Sequence, residues 1–467
     1  MLDTAAQLIK SQTKGGWRRF YKQIPLLLLP GVLIIGTLLI NNSSRAATHL
    51  VITDLPLLAM EGVERILVIS PHPDDETLSA GGLIQAAIQQ GSQVKVVVLT
   101  NGDGQAFAPL ALDRRIQAGP KDYVALGERR QVETQKALGQ LGISQDEVYF
   151  LGYADRSLES LWTGNWKQDC PVKASYTLSI SSPYALNYTP GALYCGSVLL
   201  ADLQAILADY KPDLIVVPHP SDDHPDHRAA SNFTRMAILL QSFSDPEYKP
   251  QTWGYIIHYG PYPQPRGFHP SSYLLPPLPL YGGQNEWARL DLNPGQLAHK
   301  RAAINKYPSQ VRLLGNFLPS FIRQNELFVA LPHFEVFPIE YSSLPLLEST
   351  VQKLDTSSPM MTRPAGSKTE LSGWRIIRFG DTLFITAEVT GNTQLPEYRL
   401  LVKSPDGETH VFDTYLPGWS QSGRTFTTQI SLSELGELPV LGFAAEFREG
   451  ASTVLSSWYL LIVQEWF

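Results

Sequence analysis

Short apolar runs that end in polar turns organise the first half of the chain. Residues 65–70 (RILVIS) are β-branched and apolar and stop at a Pro/Asp cluster. Residues 94–100 (VKVVVLT) repeat the pattern and stop at Asn101-Gly102-Asp103-Gly104; residues 148–151 and 213–218 (DLIVVP) are of the same kind. Continuous rather than alternating hydrophobicity predicts strands buried on both faces. Between them, residues 77–90, 128–141 (stopped by Gly142) and 199–210 have helical composition. Strand and helix in alternation predict an α/β fold, a Rossmann-like, mostly parallel sheet with helices on both faces. Ligands of such sheets bind beyond the carboxyl ends of the strands.

Two irregular stretches interrupt this rhythm. Residues 156–198 hold Trp162, Trp166, Tyr176, Tyr184, Tyr188 and Tyr194, either as stacking faces for a sugar or as the small core of a lid. Cys170 and Cys195 lie in the same insert, where they either bridge or stand as separate buried thiols. Residues 260–295 are rich in Pro, Tyr and Gly and form a second long loop. Residues 343–368, rich in Ser, Thr and Pro, read as a linker, after which hydrophobicity alternates: Leu383, Ile385, Ala387 and Val389 share one face of a strand. About seven short strands separated by turn signals predict a C-terminal β-sandwich.

The N-terminus has a different pattern. Lys10, Lys14, Arg18, Arg19 and Lys22 precede residues 24–40, which carry no charge. One reading is a signal anchor, a membrane-spanning helix that keeps the basic flank in the cytoplasm and places the rest on the extracytoplasmic or luminal side. A signal peptide cut near Ala46–Ala47, giving a secreted protein, is the alternative, and a buried core helix is the third. The expected organisation is therefore a basic segment with an anchor (1–50), a catalytic α/β domain (51–342), a linker (343–368) and a β-sandwich (369–467).

Composition narrows the function classes. Of 467 residues, 43% are apolar and 17% charged, which supports sizeable cores and excludes general disorder. A net charge of −7 without a long basic stretch argues against a nucleic-acid partner. Two cysteines exclude both a disulfide scaffold and a four-thiolate metal site.

The candidate chemistry sits at two strand ends. Pro71-His72-Pro73-Asp74-Asp75-Glu76 follows the first strand, and His219-Pro220-Ser221-Asp222-Asp223-His224-Pro225-Asp226-His227 follows the fourth. One such cluster is an ordinary turn with an Asx cap. Two at the ends of strands of one sheet supply the imidazoles and carboxylates of a divalent metal site that leaves positions open for water. A carboxylate outside the metal's ligand set can then take a proton from that water.

These motifs resemble the LmbE/PIG-L superfamily of metal-dependent N-acetylglucosaminyl deacetylases. PHPDDE with a Gly-Gly-containing helix start and the later HPDH carry the resemblance. Arg130-x-x-Glu133, Phe150-Leu151-Gly152-Tyr153-Ala154-Asp155, Lys300-Arg301-Ala302 and Tyr307-Pro308-Ser309-Gln310 add weaker matches across residues 63–315. The resemblance implies His72, Asp75 and His227 as metal ligands and Asp74 as general base. It implies His224 as the group that stabilises the oxyanion and protonates the leaving amine. The expected metal is zinc, with Fe(II) also suited to a two-His, one-carboxylate site. The implied substrate is an N-acetylated sugar or glycoconjugate. The competing classes are an amidase acting on a non-sugar substrate and a non-catalytic glycan-binding protein.

Other residues are less constrained by the sequence. Asp155 is a candidate for binding a sugar hydroxyl, and Arg130 for a polar or anionic part of the substrate, unless it only pairs with Glu133 along a helix. Glu76 reads as a helix cap or support. His219 is either a support of the ligands or a polar strand end. Asp222, Asp223 and Asp226 read as solvated or as supports of the ligands. His258, His269, His299 and His333 have no spacing that marks a ligand.

Overall fold

The computed structural model describes residues 52, 54–113, 117–281, 285–331, 334–335, 370–390, 397–413, 419–422, 425–436, 440–449, 452–455 and 458–463. The expected anchor and the linker lie outside the described residues. No helix among the described residues is long and apolar enough to cross a membrane. Residues Leu55–Phe467 form one compact unit.

Its first part alternates strand and helix in the order β1 (Arg65–Ser70), α1 (Asp75–Gln89), β2 (Gln93–Thr100), α2 (Ala108–Asp113), α3 (Pro120–Leu141) and β3 (Val148–Tyr153). It continues with α4 (Leu158–Thr163), α5 (Gly196–Tyr210), β4 (Leu214–Pro218), α6 (Pro225–Ser244) and β5 (Gln251–Tyr255). The part closes with β6 (Trp287–Asp291), α7 (Pro294–Ile304), α8 (Pro308–Leu314) and β7 (Asn325–Ala330). The seven strands form one sheet in the order β3-β2-β1-β4-β5-β7-β6. β1 pairs in parallel with β2 and with β4, and β5 continues in parallel from β4; only β7 opposes its neighbours. Every residue of β4 is buried, as are residues 66–70 of β1, which is why these runs carry no polar alternation.

Chain order reverses direction between β1 and β4. From β1 the chain steps outward to β2 and β3, and from β4 it steps the other way to β5. Right-handed crossovers then place α1 and α3 on one face and α6 on the other. The carboxyl ends of β1 and β4 flank the crevice that this reversal opens. The two polar clusters of the sequence are the segments that leave these strands.

The second part consists of β8 (Phe334–Glu335), β9 (Glu370–Phe379), β10 (Thr382–Thr390), β11 (Glu397–Lys403), β12 (Thr409–Asp413), β13 (Trp419–Ser422), β14 (Thr425–Ser431), β15 (Val440–Glu449), β16 (Ser452–Leu455) and β17 (Tyr459–Ile462). They form a four-stranded sheet, β13-β14-β10-β9, and a larger one, β12-β11-β15-β17-β8, with β16 beside β15. Leu383, Ile385 and Ile430 of the first sheet share one core with Leu400, Val402 and Phe443 of the second. β8 follows closely on β7 and pairs in parallel with β17 (Leu461↔Phe334), so the chain passes directly from the α/β sheet into the antiparallel one.

A buried ion pair between α7 and β7 holds α1 against the α/β sheet. Lys300 Nζ lies 2.6 Å from Glu326 Oε1 and donates to the Leu78 carbonyl at 2.8 Å. Glu326 also accepts the amides of Gly82 and Leu83 at 2.6 and 2.9 Å. Lys300→Met leaves Glu326 buried without its cation. Loss of about 3–5 kcal/mol of stability is expected, read as a lower midpoint in chemical denaturation.

Candidate metal centre

β1 ends at Ser70, and the next residues fold back on themselves. The Asp74 backbone takes φ 116°, ψ −29°, a conformation that costs a non-glycine residue on the order of 1–3 kcal/mol. Glu76 holds it there. Its Oε2 accepts from Asp74 N at 3.2 Å and from Ser70 Oγ at 2.9 Å, and its Oε1 accepts from Thr77 Oγ1 at 2.8 Å and from the Tyr307 hydroxyl. Glu76 is therefore a clamp on the loop and more than a helix cap.

The fold-back brings three donor atoms together. His72 Nδ1 is 3.2 Å from Asp75 Oδ2, His227 Nε2 is 3.1 Å from the same oxygen, and the two nitrogens are 3.3 Å apart. An ion bonded at about 2.0–2.2 Å to three such ligands would hold them about 3 Å apart, so this triangle fits a zinc-sized cation. The outer nitrogen of each imidazole faces carboxylate. His72 Nε2 is 3.2 Å from Asp226 Oδ2 and 3.3 Å from Asp155 Oδ1, and His227 Nδ1 is 3.3 Å from Asp222 Oδ2. Carboxylates behind imidazoles fix the ring orientation and raise the basicity of metal-binding histidines.

These carboxylates are themselves tied to backbone. Asp226 accepts the Arg156 and Leu158 amides at 2.7 and 3.0 Å. Asp222 accepts the His224, Ile257 and His258 amides at 2.9, 2.9 and 3.0 Å, which locks the ends of β4 and β5 to the start of α6. Asp155 accepts Gly104 N at 2.9 Å, and Asp223 accepts Gly260 N at 2.5 Å. Asp222, Asp223 and Asp226 are all buried, which corrects the solvated reading: in this structure they are turn-fixing groups, and Asp222 and Asp226 touch the imidazoles.

The buried charge asks for a cation. Burial lowers the His72 pKa, but Asp155, Asp226 and Asp75 outweigh it and hold the ring well above its ordinary value. Burial likewise opposes protonation of His227, yet Asp222 and Asp75 raise it to about 9. Burial raises the Asp74 pKa well above the carboxylate range, more than Arg130 lowers it. The negative field thus converges on the donor triangle.

His224 is the N-cap of α6. Its Nδ1 accepts from Asp226 N at 3.2 Å, so the neutral ring carries its proton on Nε2. Burial, then the neighbouring His72, His227 and His258, push its pKa down to about 2. Its ring lies 4.6 Å from that of His72, edge-on. His258, just beyond β5, was not marked by the sequence pattern. Its ring centroid is 5.0 Å from that of His227 and 5.3 Å from that of His224, and with Asp75 and His227 it forms another cluster able to hold a metal. Its position at the end of a fifth parallel strand was the available signal, but β5 (QTWGY) is too short and mixed to declare itself.

Arg130 of α3 reaches into the loops. It donates to the Pro73 and Gly102 carbonyls at 2.7 and 2.9 Å and stands 3.6 Å from Asp74 Oδ2. Gly102, at φ 62°, has no room for a Cβ because the guanidinium fills that space. Glu133 instead engages the Ser309 hydroxyl and amide, so Arg130 and Glu133 serve different neighbours. His219 is buried, stacks on Trp287 and accepts from Ser221 N at 3.0 Å, which supports the strand end.

The aromatic insert turns mainly inward. Trp162, Trp166, Tyr184 and Tyr194 are buried, and Tyr184 donates to Asp103 Oδ2 at 2.5 Å. Burial, then the nearby Asp155 charge, raises the Asp103 pKa to about 6. Cys170 and Cys195 are both free thiols, one exposed and one buried. The insert is held without a bridge: its Trp side chains pack on Phe233 of α6.

The family model for PIG-L, described as GlcNAc-PI de-N-acetylase, matches residues 67–238, the span that contains both clusters. The chain carries a PIG-L family domain. A 1D-myo-inositol 2-acetamido-2-deoxy-alpha-D-glucopyranoside deacetylase of Mycobacterium sp. (strain KMS) is 30% identical over 210 residues, 44% of this chain and 59% of that protein. The protein of the same description from Actinosynnema mirum is 31% identical over 182 residues, 38% of this chain and 56% of its own length. The chain thus spans less than two thirds of the length of these curated relatives. Among solved structures, a deacetylase from the teicoplanin biosynthesis pathway, in complex with bog, aligns over 57% of this chain and 97% of its own. It shows 18% identity and a TM-score of 0.38.

Within the PIG-L domain, the carboxylate behind His227 is open to direct test. Asp222→Asn keeps the shape and removes the charge. Affinity for zinc, titrated calorimetrically into metal-free protein, is expected to fall roughly 10–100-fold.

Proposed function

We propose that this protein is a metal-dependent hydrolase that removes the acetyl group from an N-acetylated amino sugar, releasing acetate and a free amine. The observation that carries the reading is the 3.1–3.3 Å triangle of His72 Nδ1, Asp75 Oδ2 and His227 Nε2, with carboxylates behind both rings. His72, Asp75 and His227 would hold the metal, with zinc the first choice and Fe(II) the alternative. Such an ion supplies Lewis acidity, which polarises the amide carbonyl and makes water acidic near neutral pH.

The remaining steps belong to the protein. Asp74, fixed by Glu76 and beside the ligands, takes the proton from the attacking water. His224, with Nδ1 occupied, offers its Nε2–H to the oxygen that gains charge as the carbonyl becomes tetrahedral. The amine leaves only when protonated, and the proton lifted from water balances that step, returned by Asp74 directly or through His224. Arg130 lies where it steadies the Asp74 carboxylate, and its contact to a polar part of the substrate is secondary in this reading. Asp155 remains a candidate for a sugar hydroxyl, although both of its oxygens already have partners.

The substrate class draws support from the descriptions of the curated relatives, which are deacetylases of a GlcNAc-inositol. Hydrolysis of a non-sugar amide is the second reading, since the groups described act on the amide and not on the sugar ring. We place residues 1–50 as a membrane anchor and the remainder as a catalytic part and a C-terminal β-part outside the cytoplasm. This rests on the uncharged run 24–40 behind its basic flank.

Acetate release from N-acetylglucosaminyl substrates, measured for the zinc-loaded chain, tests the proposal. Asp74→Asn is expected to cost ~10²–10⁴-fold in kcat while zinc remains bound. Acetate release that is insensitive to Asp74→Asn would overturn the assignment of the base.

A further inference from the structure

We propose that the C-terminal antiparallel sheets brace the metal centre, acting through Trp162 and Trp166 as positioning residues. The inference rests on the reading of His72, Asp75 and His227 as the ligand set.

Two elements hold that set in place, and both lean on the sheets. The first is α4. The amides just before and at its start, Arg156 and Leu158, bind Asp226, which faces His72 Nε2 at 3.2 Å. One turn further, Trp162 meets Trp458, which enters β17, edge-on at 5.8 Å. The second is α6, whose first turn carries His224, Asp226 and His227. Phe233 of the same helix meets Trp162 edge-on at 5.1 Å and stacks on Trp166 at 5.6 Å.

The sheets close over these rings from outside. Lys403 of β11 holds its Nζ 4.4 Å from the Trp166 ring centroid and 5.4 Å from that of Trp162, a geometry in which a cation is attracted to an indole face. Gly407, in the β11–β12 turn at φ 93°, lies flush on Trp166, and a Cβ there would fall within the indole. Trp162 and Trp166 are thereby covered by protein, at 1% and 4% exposure, and present no stacking face to a sugar. Packed interiors transmit displacement because they have no slack to absorb it. Loosening the sheet frees α4 and α6 at the ends that hold Asp226, His224 and His227.

Three variants of the full chain test this, all altered on the sheet side of the contact. Trp458→Ala opens a void against Trp162, Gly407→Ala pushes the turn off Trp166, and Trp458→Phe retains a ring. The first readout is amide exchange at Arg156 and Leu158, which needs no metal and reports local opening. The second is zinc affinity, and the third separates kcat from KM. For Trp458→Ala and Gly407→Ala, exchange is expected to rise about tenfold or more. Zinc affinity is expected to fall roughly tenfold, and kcat to fall with KM little changed, with recovery in Trp458→Phe. Folded variants with altered tryptophan fluorescence but wild-type exchange at 156–158 and wild-type zinc affinity would overturn the proposal. If the unaltered chain bound no zinc, the ligand assignment would fall, while the exchange measurement would still decide whether the sheets restrain Asp226.

Discussion

Placing two imidazoles and one carboxylate within 3.3 Å of each other, buried and ringed by further carboxylates, is the constraint on which this fold turns. Like-charged groups taken out of water repel and lose solvation. The arrangement is tolerable only if the protein supplies amides and a cation to meet it. Amides come from the strand ends and helix starts: Asp226 accepts those of Arg156 and Leu158, and Asp222 those of His224, Ile257 and His258. Arg130 meets Asp74. The His72–Asp75–His227 triangle is where the field converges, and its spacing is that of a metal's ligands.

The topology explains why this is possible here. β1 and β4 are sheet neighbours although more than a hundred residues separate them. Their exits therefore face one crevice, where both polar clusters meet. The strained Asp74 backbone belongs to the same logic. Glu76 and Tyr307 hold the turn that presents Asp74 and Asp75 on either side of the bend, one toward Arg130 and one toward the imidazoles.

Much of this was legible in the sequence, for a physical reason. β1 and β4 are buried on both faces, so their apolar runs are uninterrupted, β2 is broken only by the half-buried Lys95, and the strand at 65–70 appears with its observed bounds. The catalytic-looking clusters follow strands, so strand recognition located them. What escaped was set by tertiary contact. β5, β6 and β7 are short and mixed in polarity, and their pairing depends on neighbours. α3 starts at Pro120, ahead of the apolar periodicity, because its first turn is set by Gly119 and Asp122. His258 carries no local motif and becomes part of the cluster only once β5 is placed beside β4. For Asp222 and Asp226 the sequence left two readings open, solvated or supporting the ligands, and their amide and imidazole partners decide for the second.

The central claim is that one divalent ion belongs at the meeting point of the two strand ends. Elemental analysis of the purified full chain, beside His72→Ala and His227→Ala, tests it most directly. The account predicts one tightly held ion per chain, lost in both variants while each remains folded. A folded wild-type chain that holds no ion after incubation with zinc or Fe(II), or a stoichiometry unchanged by both substitutions, would contradict it.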